Sequence, residues 1–161
     1  MNLGVVILDL HLEPITRRNR KEALKLRVAA GQETFVETVS QCLSEAGRNP
    51  VWKPVGICSE EQMVGFAMYG YFWWEYFPHG RLWLDRLLID AECQGKGYGR
   101  AAMADMLKFF SVRYPGKDVY LSVIEGNDVA AGMYKAFGFR FNGEKDIHGE
   151  DVMVKRYSNV G

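Results

Sequence analysis

The stretch that most constrains this chain is Asp90-Ala-Glu-Cys-Gln-Gly-Lys-Gly-Tyr-Gly-Arg100, where Gly95, Gly97 and Gly99 occupy every second position. An apolar, strand-like run from Leu82 to Ile89 precedes it. A helical pattern follows, with Ala102, Met103, Met106, Leu107 and Phe110 at three- and four-residue spacing. A glycine-rich turn between a strand and a helix start exposes backbone N–H groups that no side chain covers. With the helix dipole behind them, these groups suit a phosphate or pyrophosphate. Lys96 and Arg100 add positive charge beside them.

The dinucleotide fingerprint G-x-G-x-x-G fits poorly, because Arg100 stands where the third glycine belongs and its bulk would obstruct helix–strand packing. The upstream chain also lacks an early parallel βαβ pattern. No Walker A motif is present. The pattern that fits is Q-x-x-G-x-G, carried by Gln94, Gly97 and Gly99. This stretch resembles the acetyl-CoA pyrophosphate loop of the GNAT family of N-acetyltransferases. Taken alone, it leaves an ordinary glycine-rich turn as the alternative.

At 161 residues and 48% hydrophobic content, the expectation is a single domain, 1–161, with one core. Twenty basic and twenty acidic residues balance, so no global field argues for a nucleic-acid or membrane partner. Cys42, Cys58 and Cys93 are widely spaced, with no C-x-x-C pair or Cys/His cluster at metal spacing. A reduced, cytoplasmic setting and no metal are expected. Val5–Leu8 reads as strand rather than as a signal peptide or membrane span, because Asp9 and His11 interrupt it.

Residues 5–13 predict a first strand, with Leu8, Leu10 and Leu12 on one face and Asp9 and His11 on the other, ended by Pro14. Asn19 and Glu22 have capping-box spacing for a short helix carrying Leu24 and Leu26. Its basic run from Arg17 to Lys21 reads as a solvated face, with an anion patch as the alternative. A second helix is expected from Glu33 to Ala46, with Glu33 and Glu37 one turn apart on its polar side. Residues 51–58 and 62–72 predict an antiparallel pair turning at Ser59-Glu60-Glu61.

The aromatic stretch Phe72–Pro78 carries one acid, Glu75. It reads as core plugging, an oligomer contact, or an amine-recruiting rim, since aromatic faces and a carboxylate both attract an ammonium. Asp85 interrupts the apolar strand 81–90 next to Arg86 and just upstream of the loop. Either that pair is a neutralised structural feature, or Asp85 is a carboxylate placed near the thioester.

Beyond the turn at Pro115-Gly116, Val119–Ile124 predicts a strand parallel to 81–90, with the two C-terminal ends close together. Asn127 is a good N-cap for a helix that aligns Ala130, Met133, Tyr134 and Phe137 and stops at Gly138. Phe139–Ile147 and Asp151–Tyr157 then form a hairpin. Asn142-Gly143 is a turn signal, but a turn there would leave little strand before it, so the turn is placed at His148-Gly149. His148 in that turn reads as solvated, and His11 and His79 belong to no recognisable motif.

The run N-x-x-A-x-x-x-Y-x-x-x-G-F from Asn127 to Phe139 resembles the second GNAT signature, and it follows the loop in the right order. The resemblance extends over essentially the whole chain. Lys53–Ile57, Val64–Gly70, Arg81–Arg86, Phe139–Glu144 and Val152–Lys155 are similar to the bacterial spermine/spermidine (diamine) N-acetyltransferases. The implied fold is α/β (α+β): a mixed, mostly antiparallel sheet of about seven strands with about four helices and a splayed parallel central pair.

The resemblance also implies roles. Gln94, Gly95, Lys96, Gly97, Tyr98, Gly99 and Arg100 would bind the CoA pyrophosphate. Leu87 and Ile89, with Leu88 between them, would offer main-chain groups to the pantetheine arm. Asn127 would contact the cofactor near the thioester, and Tyr134 would also lie against it and protonate the departing thiolate. Asp85 stands where related polyamine acetyltransferases carry a glutamate implicated as base, and its shorter side chain favours a water relay. Charge alone adds Glu33, Glu37 and Glu75 as holders of distal ammonium groups. The resemblance implies acetyl-CoA as cosubstrate, a polyamine amine as acceptor, and a homodimer.

A primary alkylamine has a pKa near about 10.4, so roughly one molecule in a thousand is nucleophilic at neutral pH. A carboxylate that attracts the ammonium and removes its proton answers that need. Two other classes stay open: a GNAT enzyme for a different amine (amino acid, aminoglycoside or protein N-terminus), and a non-catalytic CoA-binding module. Retention of both Asp85 and Tyr134 argues against the second. A dinucleotide-binding oxidoreductase is a distant third.

Overall fold

The computed structural model describes residues 9–28 and 38–157. In chain order its elements are β1 (Leu10–Pro14), α1 (Arg20–Ala23), α2 (Val39–Arg48), β2 (Lys53–Ser59), β3 (Gln62–Phe72), β4 (Arg81–Ile89), α3 (Tyr98–Arg113), β5 (Val119–Val123), α4 (Asp128–Ala136), β6 (Arg140–Lys145) and β7 (Asp151–Lys155). The seven strands form one sheet in the order β1-β2-β3-β4-β5-β7-β6. Every pairing is antiparallel except β4 with β5. Among the described residues there is no helix long and apolar enough to cross a membrane.

The sheet carries a helical layer on each face. On one face, α3 contributes Ala102, Met103, Met106, Leu107 and Phe110, all buried against Leu82, Leu84, Val119 and Leu121. That is the stripe its spacing predicts. Met133 and Tyr134 of α4 pack on the same side. On the other face, Ala23 and Leu26 from the α1 segment join Val39, Cys42 and Leu43 of α2 over Phe66, Met68 and Leu88.

Several local expectations are corrected. The helix near 33–46 has its N-cap at Thr38, where Thr38 and Gln41 form a reciprocal capping box, and it continues through Gly47 to Arg48. Residues 33–37 lie outside the described residues. The expected Asn19–Glu22 capping box is absent. Asn19 instead accepts from the Thr16 N–H (2.8 Å) and donates to the Pro14 carbonyl (3.0 Å), which bends the chain from β1 into α1. Pro14 is the last residue of β1 rather than a stop before its end. Asn142-Gly143 forms a bulge in β6, with Gly143 at φ 85°. The hairpin turns at His148-Gly149 as expected, held by Asp146.

The central pair is parallel and splayed, as the resemblance implies. β4 and β5 pair in parallel only at Leu82–Val119 and Trp83–Tyr120. Beyond these pairs the ladder ends, which corrects only the expectation, drawn from the strand–helix–strand order, that the two C-terminal ends stay close.

Candidate active site

β4 contains one residue too many for regular pairing. Its register against β3 passes from Leu84–Tyr69 to Arg86–Met68, leaving Asp85 as the extra residue of a bulge. The pleat changes phase there. Before the bulge, Leu82 and Leu84 face the α3 side. After it, Leu87 and Ile89 face that side, while Leu88 packs on the α1–α2 side. Beyond Trp83 the β5-facing edge of β4 carries no ladder, so its main-chain groups line the gap.

The gap is a cleft of about 760 Å³. It is bordered by β4 from Asp85 to Ile89, the glycine loop, the C-terminal end of β5 and the first turns of α4. Its walls are held by specific bonds. Asp90 Oδ1 accepts from the Arg27 N–H at 2.9 Å, and the Ala91 N–H donates to the Arg27 carbonyl, fixing the α1 tail beside the loop. Gln94 turns back so that its side-chain amide donates to the Ile89 carbonyl at 3.1 Å.

Gly97 is the N-cap of α3, with φ 86° in the left-handed region, and Gly95 has φ 78°. Gly99 has no such requirement; a Cβ there would meet Ile89 and Met133 only at ordinary contact, 3.9 Å. The first intrahelical bond of α3 runs from the Ala101 N–H to Gly97. The N–H groups of Tyr98, Gly99 and Arg100 precede it, and no acid occupies that first turn. The loop is therefore suited to an anion.

Asn127 caps α4, its side chain accepting from the Ala130 N–H at 3.4 Å. That fixes the turn from which Tyr134 reaches the cleft. Tyr134 meets Phe139 edge-on, with ring centroids 6.1 Å apart. Burial raises its pKa, so the phenol carries its proton at neutral pH. Asp85 borders the same cleft, its carboxylate 3.0 Å from the Arg86 guanidinium and both side chains largely buried.

The structure thus brings Asp85, Leu87, Leu88, Ile89, Gln94, Gly95, Gly97, Tyr98, Gly99, Asn127 and Tyr134 to one cleft. Lys96 and Arg100 are exposed on the outside of the loop and do not line it. Glu75 sits exposed in the β3–β4 connection, also outside the lining. Its neighbours Trp73, Trp74 and Phe77 pack on one another at the surface, so the core-plugging reading of this segment holds only for Phe72, buried against Trp52. Glu33 and Glu37 lie outside the described residues.

Sequence reasoning missed Glu150. It borders the cleft and accepts from the Ser122 hydroxyl at 3.1 Å, while its N–H donates to Asp146. No motif marks it; only the hairpin closure carries it there. His148, in the same turn, is exposed at the cleft margin.

The family model described as Acetyltransferase (GNAT) family matches residues 20–139. Two curated relatives are each 41% identical over 150 residues, covering 92% of this chain and 99% of the relative. They are the spermine/spermidine N(1)-acetyltransferase of Bacillus subtilis (strain 168) and the probable spermine N(1)-acetyltransferase of Bacillus subtilis subsp. natto. Among solved structures, the PaiA N-acetyltransferase from Thermoplasma acidophilum in complex with coenzyme A superposes with TM-score 0.65 at 14% identity, covering 92% of this chain and 99% of that one. A spermidine N-acetyltransferase SpeG chimera from Vibrio cholerae and hSSAT gives TM-score 0.64 at 16% identity, covering 90% and 92%. At those identities the structural likeness shows the fold. The family match together with the 41% relatives settles the family: this chain belongs to the GNAT acetyltransferases.

Proposed function

We propose that this protein transfers the acetyl group of acetyl-CoA directly to a primary amine of a polyamine. The observation that carries the reading is a single cleft that holds a carboxylate, a protonated phenol and an anion-suited glycine loop between splayed strands. The 41% relatives named for spermine and spermidine support the acceptor class.

The residues divide the work. First-turn N–H groups of α3 hold the pyrophosphate, with Lys96 and Arg100 attracting it from outside. The open edge of β4 from Leu87 to Ile89 binds the pantetheine arm, and Asn127 sets the α4 end of the cleft. Acetyl-CoA supplies an activated acyl group. Asp85 holds the incoming ammonium and accepts its proton through a water. A main-chain N–H of splayed β4 stabilises the developing oxyanion. Tyr134 gives its proton to the leaving sulfur. Glu150 offers a second carboxylate for a distal ammonium. We read the protein as a cytoplasmic homodimer of single domains spanning 1–161.

The test is release of free CoA thiol with spermine, spermidine, putrescine, lysine and an aminoglycoside. Turnover confined to the polyamines is expected. Turnover on another amine alone would overturn the acceptor class, and acetyl-CoA binding without turnover on any amine would overturn catalysis.

A further inference from the structure

Away from the cleft, β1 and β2 carry a second group of ligand-bearing side chains. His11 lies directly across the ladder from Cys58. Glu13 is two residues further along β1 and so shares that face. This is the face of α1 and α2, where Cys58 is buried with Ala23 and Leu26. His11 Nε2 and a Glu13 carboxylate oxygen are 3.0 Å apart. One ligand atom from each of the three residues lies within 4.8 Å of the others. Linear spacing does not register this group, because strand pairing assembles it from distant parts of the chain.

Glu13 and Glu22 of α1 are both near enough to act on the Cys58 thiol. Burial and these two carboxylates push the thiol up to about 11. Sulfur, imidazole and carboxylate thus converge on one point from β1 and β2, with more negative charge above it on α1. Around a tetrahedral Zn2+, with bonds of about 2.0–2.3 Å, ligand atoms lie about 3.2–3.8 Å apart. Rotamer adjustments of the exposed His11 and Glu13 side chains cover the difference.

We propose that His11, Glu13 and Cys58 form a binding site for a thiophilic divalent cation of the Zn2+ class, with water or Glu22 as fourth ligand. The mixed S, N and O donor set suits Zn2+ and its analogue Co2+, and it does not suit Mg2+ or Ca2+, which take oxygen shells. Binding releases the Cys58 thiol proton to solvent and leaves a thiolate on the metal, with no change of oxidation state. The occupied site clasps the edge strand β1 to β2 beneath α1. It shares no residue with the cleft, so it stands or falls independently of the proposed acetyl transfer.

The experiment uses the full-length protein, stripped with chelator and titrated with Co2+. The expected result is one Co2+ per chain, with the intense visible bands of tetrahedral cobalt and a near-ultraviolet thiolate-to-cobalt charge-transfer band; added Zn2+ abolishes both. Cys58→Ser should remove the charge-transfer band. His11→Asn, at an exposed position, keeps the fold and should weaken Zn2+ binding by at least about tenfold. Should the serine variant not fold, His11→Asn decides. A weak octahedral spectrum without charge transfer would overturn the site. So would a band that survives in both variants, because the thiolate would then belong to Cys42 or Cys93.

Discussion

The two halves of β4 contrast within nine residues. From Arg81 to Leu84 the strand pairs with β3 throughout and with β5 at Leu82 and Trp83, and its inward leucines are buried. From Asp85 to Ile89 only the β3 edge is paired, and the other edge faces the cleft. The first half joins the two sides of the sheet. The second half exchanges ladder bonds for exposed main chain that can grip a ligand. A bulge separates them; were Asp85 paired in regular register instead of bulged out, Leu87 and Ile89 would point to the other face. In this fold the binding groove is an interruption of the sheet rather than an addition to it.

The contrast can be broken most severely at its closed end. Leu82→Ala empties a fully buried position in the zipped half and is expected to cost about 3 kcal/mol in chemical denaturation. Leu87→Ala, half-buried at the cleft, should cost about 1 kcal/mol. Equal losses would mean that the splayed half is packed as tightly as the zipped one.

Chemistry should respond in the opposite sense. Tyr134→Phe is expected to lower turnover about a hundredfold while leaving acetyl-CoA affinity unchanged in calorimetry. Asp85→Asn should shift the rate profile toward higher pH, because the amine must then arrive already deprotonated. Unchanged rates and profiles in both variants would remove these two residues from the mechanism.

At the loop, Gly97→Ala places a Cβ on a left-handed residue and should lower thermal stability by about 1–2 kcal/mol. Gly99→Ala, in the first turn of α3 with room for a methyl, should be neutral or stabilising by up to about 0.5 kcal/mol. The two glycines look alike in the sequence, so a melting comparison separates conformational need from mere presence.

Another small effect lies where β4 begins. Arg81 makes two 3.0 Å bonds to Glu144 of β6 and stacks between Tyr76 and Tyr120. Hydrogen bonding from Arg81 lowers the Glu144 pKa. A lowered folded pKa gives stability that is present above the unfolded value near about 4.3 and is lost as pH falls through the folded value. Glu144→Gln should therefore cost at most about 1 kcal/mol at neutral pH, since the carboxylate is 43% exposed, and nothing in strong acid. A difference that persists in acid would point to packing instead of charge.

Much of this architecture was legible in the chain. The glycine loop, the α3 stripe and the Asn127 cap are local patterns, and local patterns survive folding. Illegible features depended on partners. The bulge at Asp85 exists only in register against Tyr69 and Met68. Glu150 reaches the cleft only because β7 pairs with β5. Asn19 has the spacing of a helix cap, but a carbonyl five residues back competes for its side chain. Thr38-x-x-Gln41 was a readable cap, obscured by the acidic residues before it.

The bulge gives β4 a property that its composition does not reveal. Between Leu84 and Leu87 the strand holds one residue more than β3 has partners for. A substitution at Asp85 alters the chemistry and keeps the phase of the strand. Loss of Asp85 would remove the bulge yet leave Arg86 to Ile89 opposite the same β3 partners, with their faces unchanged. The proposed base thus sits at the one position of β4 that the β3 ladder does not need.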